Sequence, residues 1–309
     1  MRFYVGLTDY TWYKNLSSIP NLDEVNFWKP HGRQRFYAIN YGEFFIFRLH
    51  SPYNYIVGGG VFAYFTFLPI SLAWKAFGIK NGALSYNDLY SNIKKRRSLE
   101  TDTIEDFIIG CILLEQPFFF AEHEWIPIPS DWHRNFGPGI GYNTSEEAGK
   151  YLWNEIQNRL NRNVSEFKGI KIAEEQKRYG KQLLVKPRLG QGSFRIMVID
   201  NYQRRCSVTL EKTLPALEAA HIHAYRDNGP NELSNGILLR SDLHNLLDSG
   251  YVTISKDYHF EVSKKIKEEY ENGREYYNMH GRKLNLPANK NYWPEYKYVE
   301  WHNNNIYKG

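Results

Sequence analysis

The stretch Leu217–Gly250 reads LEAAHIHAYRDNGPNELSNGILLRSDLHNLLDSG, and the C-terminal half of the chain turns on it. Leu217–His223 has the look of a short strand running into a loop rich in Gly, Asn and Pro. Ser241–Asp248 then opens a helix that Gly250 ends. On that helix His244 and Asp248 stand at i and i+4, so an imidazole and a carboxylate share one face and can grip a single divalent cation. His221 closes the strand. Thirteen residues separate it from Asn235, and eight separate Asn235 from His244. A strand, a loop and a helix so spaced bring one free imidazole beside one metal site. Cleavage of a phosphodiester needs that pairing: a neutral histidine takes a proton from water, while a Mg²⁺-class ion offsets charge on the phosphorane and the departing oxygen.

This order and spacing resemble the HNH endonuclease family and its ββα-metal motif. The resemblance implies that His221 is the general base, that Asn235 braces the loop between the two strands, and that His244 is a metal ligand. Asp248 falls where some members place a further ligand. The flanks GQGSFR (Gly190–Arg195) and RCSVT (Arg205–Thr209) are similar to the lead-in of the branch whose histidine follows Glu-Ala-Ala. Ala220 is a departure, because many members carry an Asp or His ligand there. On an extended strand Glu218 projects to the same side as Ala220, which makes it the candidate substitute. Ala224 stands where a proline is common, and His223 is an extra imidazole, read as a loop or DNA-facing residue. The expected cofactor is Mg²⁺ or Mn²⁺, one ion per active site, held by His244, Asp248 and Glu218. Any one of these polar residues alone would be an ordinary cap or surface group; the four landmarks together set the nuclease reading apart from a structural hairpin and helix.

Composition bounds the rest. At 309 residues the chain has about twice the usual domain length, and 42% hydrophobic with 24% charged residues excludes wholesale disorder. A net charge of +5 permits a polyanionic partner without demanding one. The two cysteines, Cys111 and Cys206, lie far apart and form no Cys-x-x-Cys pair, so neither a disulfide framework nor structural zinc is expected, and a reducing cytoplasm suits them. The N-terminus supports no signal peptide. The apolar stretch Ile56–Phe77 is broken by Gly58–Gly60, Pro69, Ser71 and Lys75, so no membrane span is expected.

The first third reads as β-rich, with strands at Phe3–Leu7, Phe44–His50 and Val61–Leu68. Helices are predicted after the Thr8-Asp9 cap (carrying Trp12 and Leu16), from Ser71 to Phe77, over Asn87–Lys95, over Thr103–Leu113 and over Ser145–Arg162. A strand-like pair is predicted at Phe118–Phe120 and Glu124–Ile128, leading into a Pro129–Gly141 loop, and Cys206–Leu210 reads as extended. VGLTDYTW, DEVNFWKP, GEFFIFRLHSP, IVGGG and ISLAWKAFG, spread over Met1–Gly82, resemble the PUA-like domains of the EVE type that precede HNH modules in modification-dependent restriction enzymes. Reading a modified cytosine requires a flipped base between aromatic walls, with polar groups on its Watson–Crick edge. Trp28, Phe27, Trp12 and Trp74 are the candidate walls and Asn26 and Asp9 the candidate edge contacts, Trp28 being placed in a loop. The glycine triplet is read as a bulge or tight strand entry, and Lys94–Arg97 as a solvated loop or helix end, with phosphate contact as the alternative. Lys186, Arg188, Arg195, Arg204 and Arg205 are candidate phosphate contacts.

The expected architecture is α+β: a PUA-like β-barrel with helices over 1–143, a helical connector over 144–189, and an HNH nuclease domain over 190–309 that the tail after Val252 completes. The expected function is metal-dependent hydrolysis of double-stranded DNA, directed by methyl- or hydroxymethylcytosine and carried out by a homodimer. The alternatives are an HNH nuclease acting on unmodified or structured DNA, and a DNA-binding module with an inactive HNH fold.

Overall fold

Runs of aromatic and β-branched residues build the first of two units, Met1–Gly190, around a seven-stranded sheet. The computed structural model describes residues 1–97, 106–128, 139–162 and 189–309. The elements of this unit are β1 (Arg2–Thr8), α1 (Tyr10–Ser17), β2 (Glu24–Lys29), β3 (Phe44–Leu49), β4 (Tyr55–Pro69), α2 (Ile70–Phe77), α3 (Tyr86–Arg97), β5 (Ile108–Phe119), β6 (Ile126–Pro127), β7 (Gly139–Asn143) and α4 (Glu147–Arg162). The strands lie in the order β2-β5-β4-β3-β1-β7, with β6 also on β4. β1 and β3 are parallel, and the other pairs are antiparallel. Among the described residues this path ends at β2 and β7, which do not pair, so hydrogen bonds do not close the predicted barrel.

Side chains of a strand alternate between faces, and β3 uses both. Phe44 and Ile46 enter a core with Phe3, Val5 and the α4 residues Leu152, Trp153, Ile156 and Leu160. Phe45, Phe47 and Leu49 enter another with Trp12, Tyr13 and Leu16 of α1, Val25, Phe62 and Phe65. The helix predicted as the start of a connector therefore packs into the first unit, while most of the connector lies outside the described residues.

The helix predicted over Thr103–Leu113 is a strand from Ile108 onward, and that strand takes in Phe118 and Phe119 as well. It is covered on both faces, and such a strand is a continuous apolar run that periodicity cannot tell from a buried helix. Most of the predicted Pro129–Gly141 loop lies outside the described residues. Trp28 and Asn26 sit on strand β2, not in a loop. Gly58–Gly60 lie inside β4, where the register against β5 shifts.

The second unit, Gln191–Gly309, contains α5 (Gln191–Asn201), β8 (Leu217–His221), β9 (Gly236–Arg240), α6 (Ser241–Asp248), β10 (Val252–Ile254), β11 (Phe260–Val262), α7 (Lys265–Tyr270), α8 (Arg274–Tyr277) and α9 (Tyr296–Asn305). β8 and β9 form an antiparallel hairpin with His221 opposite Gly236 and Leu217 opposite Arg240, and α6 follows β9 without a gap. Cys206–Leu210, expected to be extended, is a turn: the Leu210 amide donates to the Cys206 carbonyl, and Leu210 sits at a φ of 62°. Among the described residues no helix is long and apolar enough to cross a membrane.

Candidate active site

His221 ends β8 with its ring held on two sides. Its Nε2 lies 2.9 Å from Asn231 Oδ1, and its imidazole stacks on Phe194 of α5 with ring centroids 4.0 Å apart at 16°. An amide oxygen only accepts, so Nε2 carries the proton and Nδ1 keeps the lone pair. Gly236 makes this stack possible, since a Cβ there would come within 2.5 Å of Val198 Cγ2 and 3.0 Å of Phe194 Cζ. Burial pulls the His221 pKa below the ordinary imidazole value of 6.5. The Asn231 contact opposes that shift, the His244 charge adds to it and the Asp248 charge opposes it. His221 therefore shares one electrostatic neighbourhood with the two landmarks of α6, and it is neutral at pH 7.

On α6, His244 Nδ1 lies 2.7 Å from Glu218 Oε2, and its Nε2 lies 3.5 Å from Asp248 Oδ2. The hydrogen bond from His244 holds the Glu218 carboxyl below its ordinary value. The three side chains form a row, carboxylate, imidazole, carboxylate. Among the described residues no group of three or more His, Cys, Asp or Glu is arranged to hold a metal ion, so the three-ligand set of His244, Asp248 and Glu218 is not preformed. The donor chemistry still fits an ion that favours oxygen and imidazole nitrogen. A carboxylate on the far nitrogen of a ligating imidazole is the usual orienting partner, and Glu218 occupies that position.

Asn235 is fully buried and bridges the loop between the strands. Its Oδ1 accepts from the His223 amide at 2.8 Å, and its Nδ2 donates to the carbonyls of His223 and Pro230, both at 3.0 Å. The tail supports both sides of the motif. His302 of α9 puts Nε2 2.9 Å from the Leu247 carbonyl near the end of α6, and Trp301 stacks on His223 with centroids 3.7 Å apart. Tyr298 donates to Glu232 Oε2 at 2.8 Å. Sequence reasoning had no mechanism for this tail, nor for Asn231 and Phe194. Their only signals were their places in the Gly/Asn/Pro loop and in GQGSFR.

The basic candidates separate. Arg195 is partly buried on α5, which pulls its pKa down, and the Glu218 charge acts on it in opposition. Arg204 pairs with Asp200 at 3.1 Å. Arg205 is partly exposed, and Lys186 and Arg188 lie outside the described residues.

In the first unit, Asp9, Trp12, Phe27 and Trp28 line one cavity of about 650 Å³, together with His50 and Arg96. A neighbouring cavity of about 570 Å³ shares Asp9, Trp12, Trp28, His50 and Arg96. Asn26 and Trp74 line neither. Asn26 is fully buried, and its Nδ2 donates to Asn81 Oδ1 at 2.8 Å and approaches Cys111 Sγ at 3.4 Å. Trp74 packs edge-on against Tyr86. Arg96, read from sequence as part of a solvated loop or helix end, belongs to the cavity wall. Burial lowers the His50 pKa.

Residues 206–255 match the HNH endonuclease family model, so the hairpin and helix just described lie within an HNH endonuclease domain. The matched segment spans 50 of the 309 residues. No curated protein matches the chain. Among solved structures it is similar to an ASCH protein from Zymomonas mobilis, at 14% identity and a TM-score of 0.32, over 49% of this chain and 94% of that one. It is also similar to the modification-dependent TagI restriction endonuclease, at 13% identity and a TM-score of 0.27, and to the type IV phosphorothioation-dependent restriction endonuclease ScoMcrA, at 11% and 0.18. These two likenesses cover 85% and 78% of this chain, which spans 61% and 48% of those proteins.

Proposed function

We propose that the protein is a metal-dependent endonuclease that hydrolyses double-stranded DNA and is directed to it by a modified cytosine. The observation that carries the nuclease reading is a partly buried His221, its pKa lowered by that burial, in the electrostatic reach of the His244–Asp248 pair. His221 Nδ1 takes the proton of the attacking water, while Asn231 on Nε2 and Phe194 on the ring face keep the imidazole aimed. Asn235 fixes the loop that follows the base. His244 and Asp248 hold a divalent cation, Mg²⁺ or Mn²⁺, with Glu218 orienting His244 through Nδ1. Such an ion, when bound, stabilises charge on the phosphorane and on the leaving oxygen. Arg195, Arg204 and Arg205, with Lys186 and Arg188, hold the DNA backbone in register.

Modification dependence, the property in TagI's description, is proposed here on the chemistry of the first unit's cavity. Its volume suits a single nucleobase with its sugar, Trp28, Trp12 and Phe27 offer aromatic faces, and Asp9 offers an acceptor. With one active site per chain, cutting both strands calls for two copies or two successive nicks. Digestion of methylated, hydroxymethylated and unmodified plasmid with Mg²⁺ or Mn²⁺ tests the reading. Cleavage of modified DNA alone supports it, and equal cleavage of all three removes modification dependence. Tight binding without cleavage in either metal makes the second unit an inactive binding module.

A further inference from the structure

Arg96 stands where an incoming base would have to go. Its guanidinium lies over the Trp28 indole, 5.7 Å from the ring centroid, and its Nη2 ion-pairs with Asp9 Oδ2. All three side chains line both cavities, so the pair sits where the two spaces meet. A planar cation on an indole face, with its N–H groups turned to a carboxylate, presents the same chemistry as a nucleobase with an exocyclic amine: a π surface for Trp28 and N–H donors for Asp9.

We propose that Arg96 is a displaceable gate of the base cavity. In the base-free protein it fills the stacking place over Trp28. An entering base with an exocyclic amino group replaces it and takes over the Asp9 carboxylate, and Arg96 is released toward a phosphate of the same strand. The proposal rests on the reading of this cavity as a base pocket. The side chains of Arg96 and Asp9 are 37% and 39% exposed, and an ion pair so open to water is weak enough for a base to part. The Asp9 carboxylate, facing the 4-position, favours an exocyclic amine there over the carbonyl of a thymine-type edge.

The test uses the full chain and two nucleosides that differ only along the 4-position/N3 edge, 5-methyl-2′-deoxycytidine and thymidine, titrated by tryptophan fluorescence. Removing the resident guanidinium in Arg96→Ala and Arg96→Gln should tighten binding of 5-methyl-2′-deoxycytidine about threefold to fivefold, the scale of an exposed ion pair. Asp9→Asn should lose the preference over thymidine, and Trp28→Ala should weaken both. If neither Arg96 variant tightens binding while Trp28→Ala still weakens it, the gate is overturned and the base pocket stands. If Trp28→Ala binds like the unaltered protein, or if no variant binds either nucleoside, both readings fall.

Discussion

Truncating Asn235 to alanine removes a fully buried amide that makes three hydrogen bonds, from the His223 amide and to the carbonyls of His223 and Pro230. Each such bond is worth about 0.5–1.5 kcal/mol net, and the partners are only partly buried, so water recovers some of the loss. The expected cost is about 2–4 kcal/mol. For a unit of this size that corresponds to a fall in Tm of roughly 10 °C, measurable by calorimetry. The same change frees the loop just after His221 to drift, and misplacing a base by about 1 Å costs on the order of 100-fold in rate. Asn235→Asp should do no better, because it keeps the shape, loses both donors and sets a charge against two carbonyls. An Asn235→Ala protein that melts within about 1 °C of the unaltered chain and cuts DNA at the same rate would refute the bracing role and the reasoning behind it.

His221→Ala should abolish cleavage while leaving DNA binding intact by gel shift, and undiminished cutting removes the base assignment. Because burial holds the His221 pKa below 6.5 and the neutral ring is the working form, cleavage rate should fall only on the acid side, with a midpoint below that value. An acid limb above pH 7 contradicts this. His302 is also buried with a lowered pKa, so its contribution to stability is full above 6.5 and is lost as pH falls through its folded value. The second unit should therefore lose stability between about pH 7 and 5, less so in His302→Gln, and identical pH profiles of Tm in the two proteins would exclude His302 as the cause. Trp28→Ala should lower selectivity for modified over plain DNA more than it lowers cutting at high enzyme concentration, and unchanged selectivity would take Trp28 out of the pocket.

How far the chain could be read depended on whether the signal was local. The helix Ser241–Asp248 was legible to the residue, because its start, its apolar spacing and its glycine stop all lie within ten positions. β1, β3, α1 and α2 were found within a few residues for the same reason. β5 was misread and β2 missed, since both owe their state to neighbours: β5 is paired between β2 and β4, and the polar residues of EVNFWK hide an edge strand.

The candidate site divides along the same line. Spacing along the chain determined that His221, Asn235, His244 and Asp248 could serve one reaction, because i,i+4 geometry and strand alternation are local rules. Only the tertiary structure decided that Asn231 and Phe194 set the proton and plane of His221, that Glu218 meets His244, and that α9 supports the motif from behind. It also decided that Arg96 and His50 join Trp28 at the cavity while Asn26 and Trp74 do not. Those contacts join residues brought together by packing from distant places in the chain, and a contact made by packing leaves no periodic trace in the sequence that makes it.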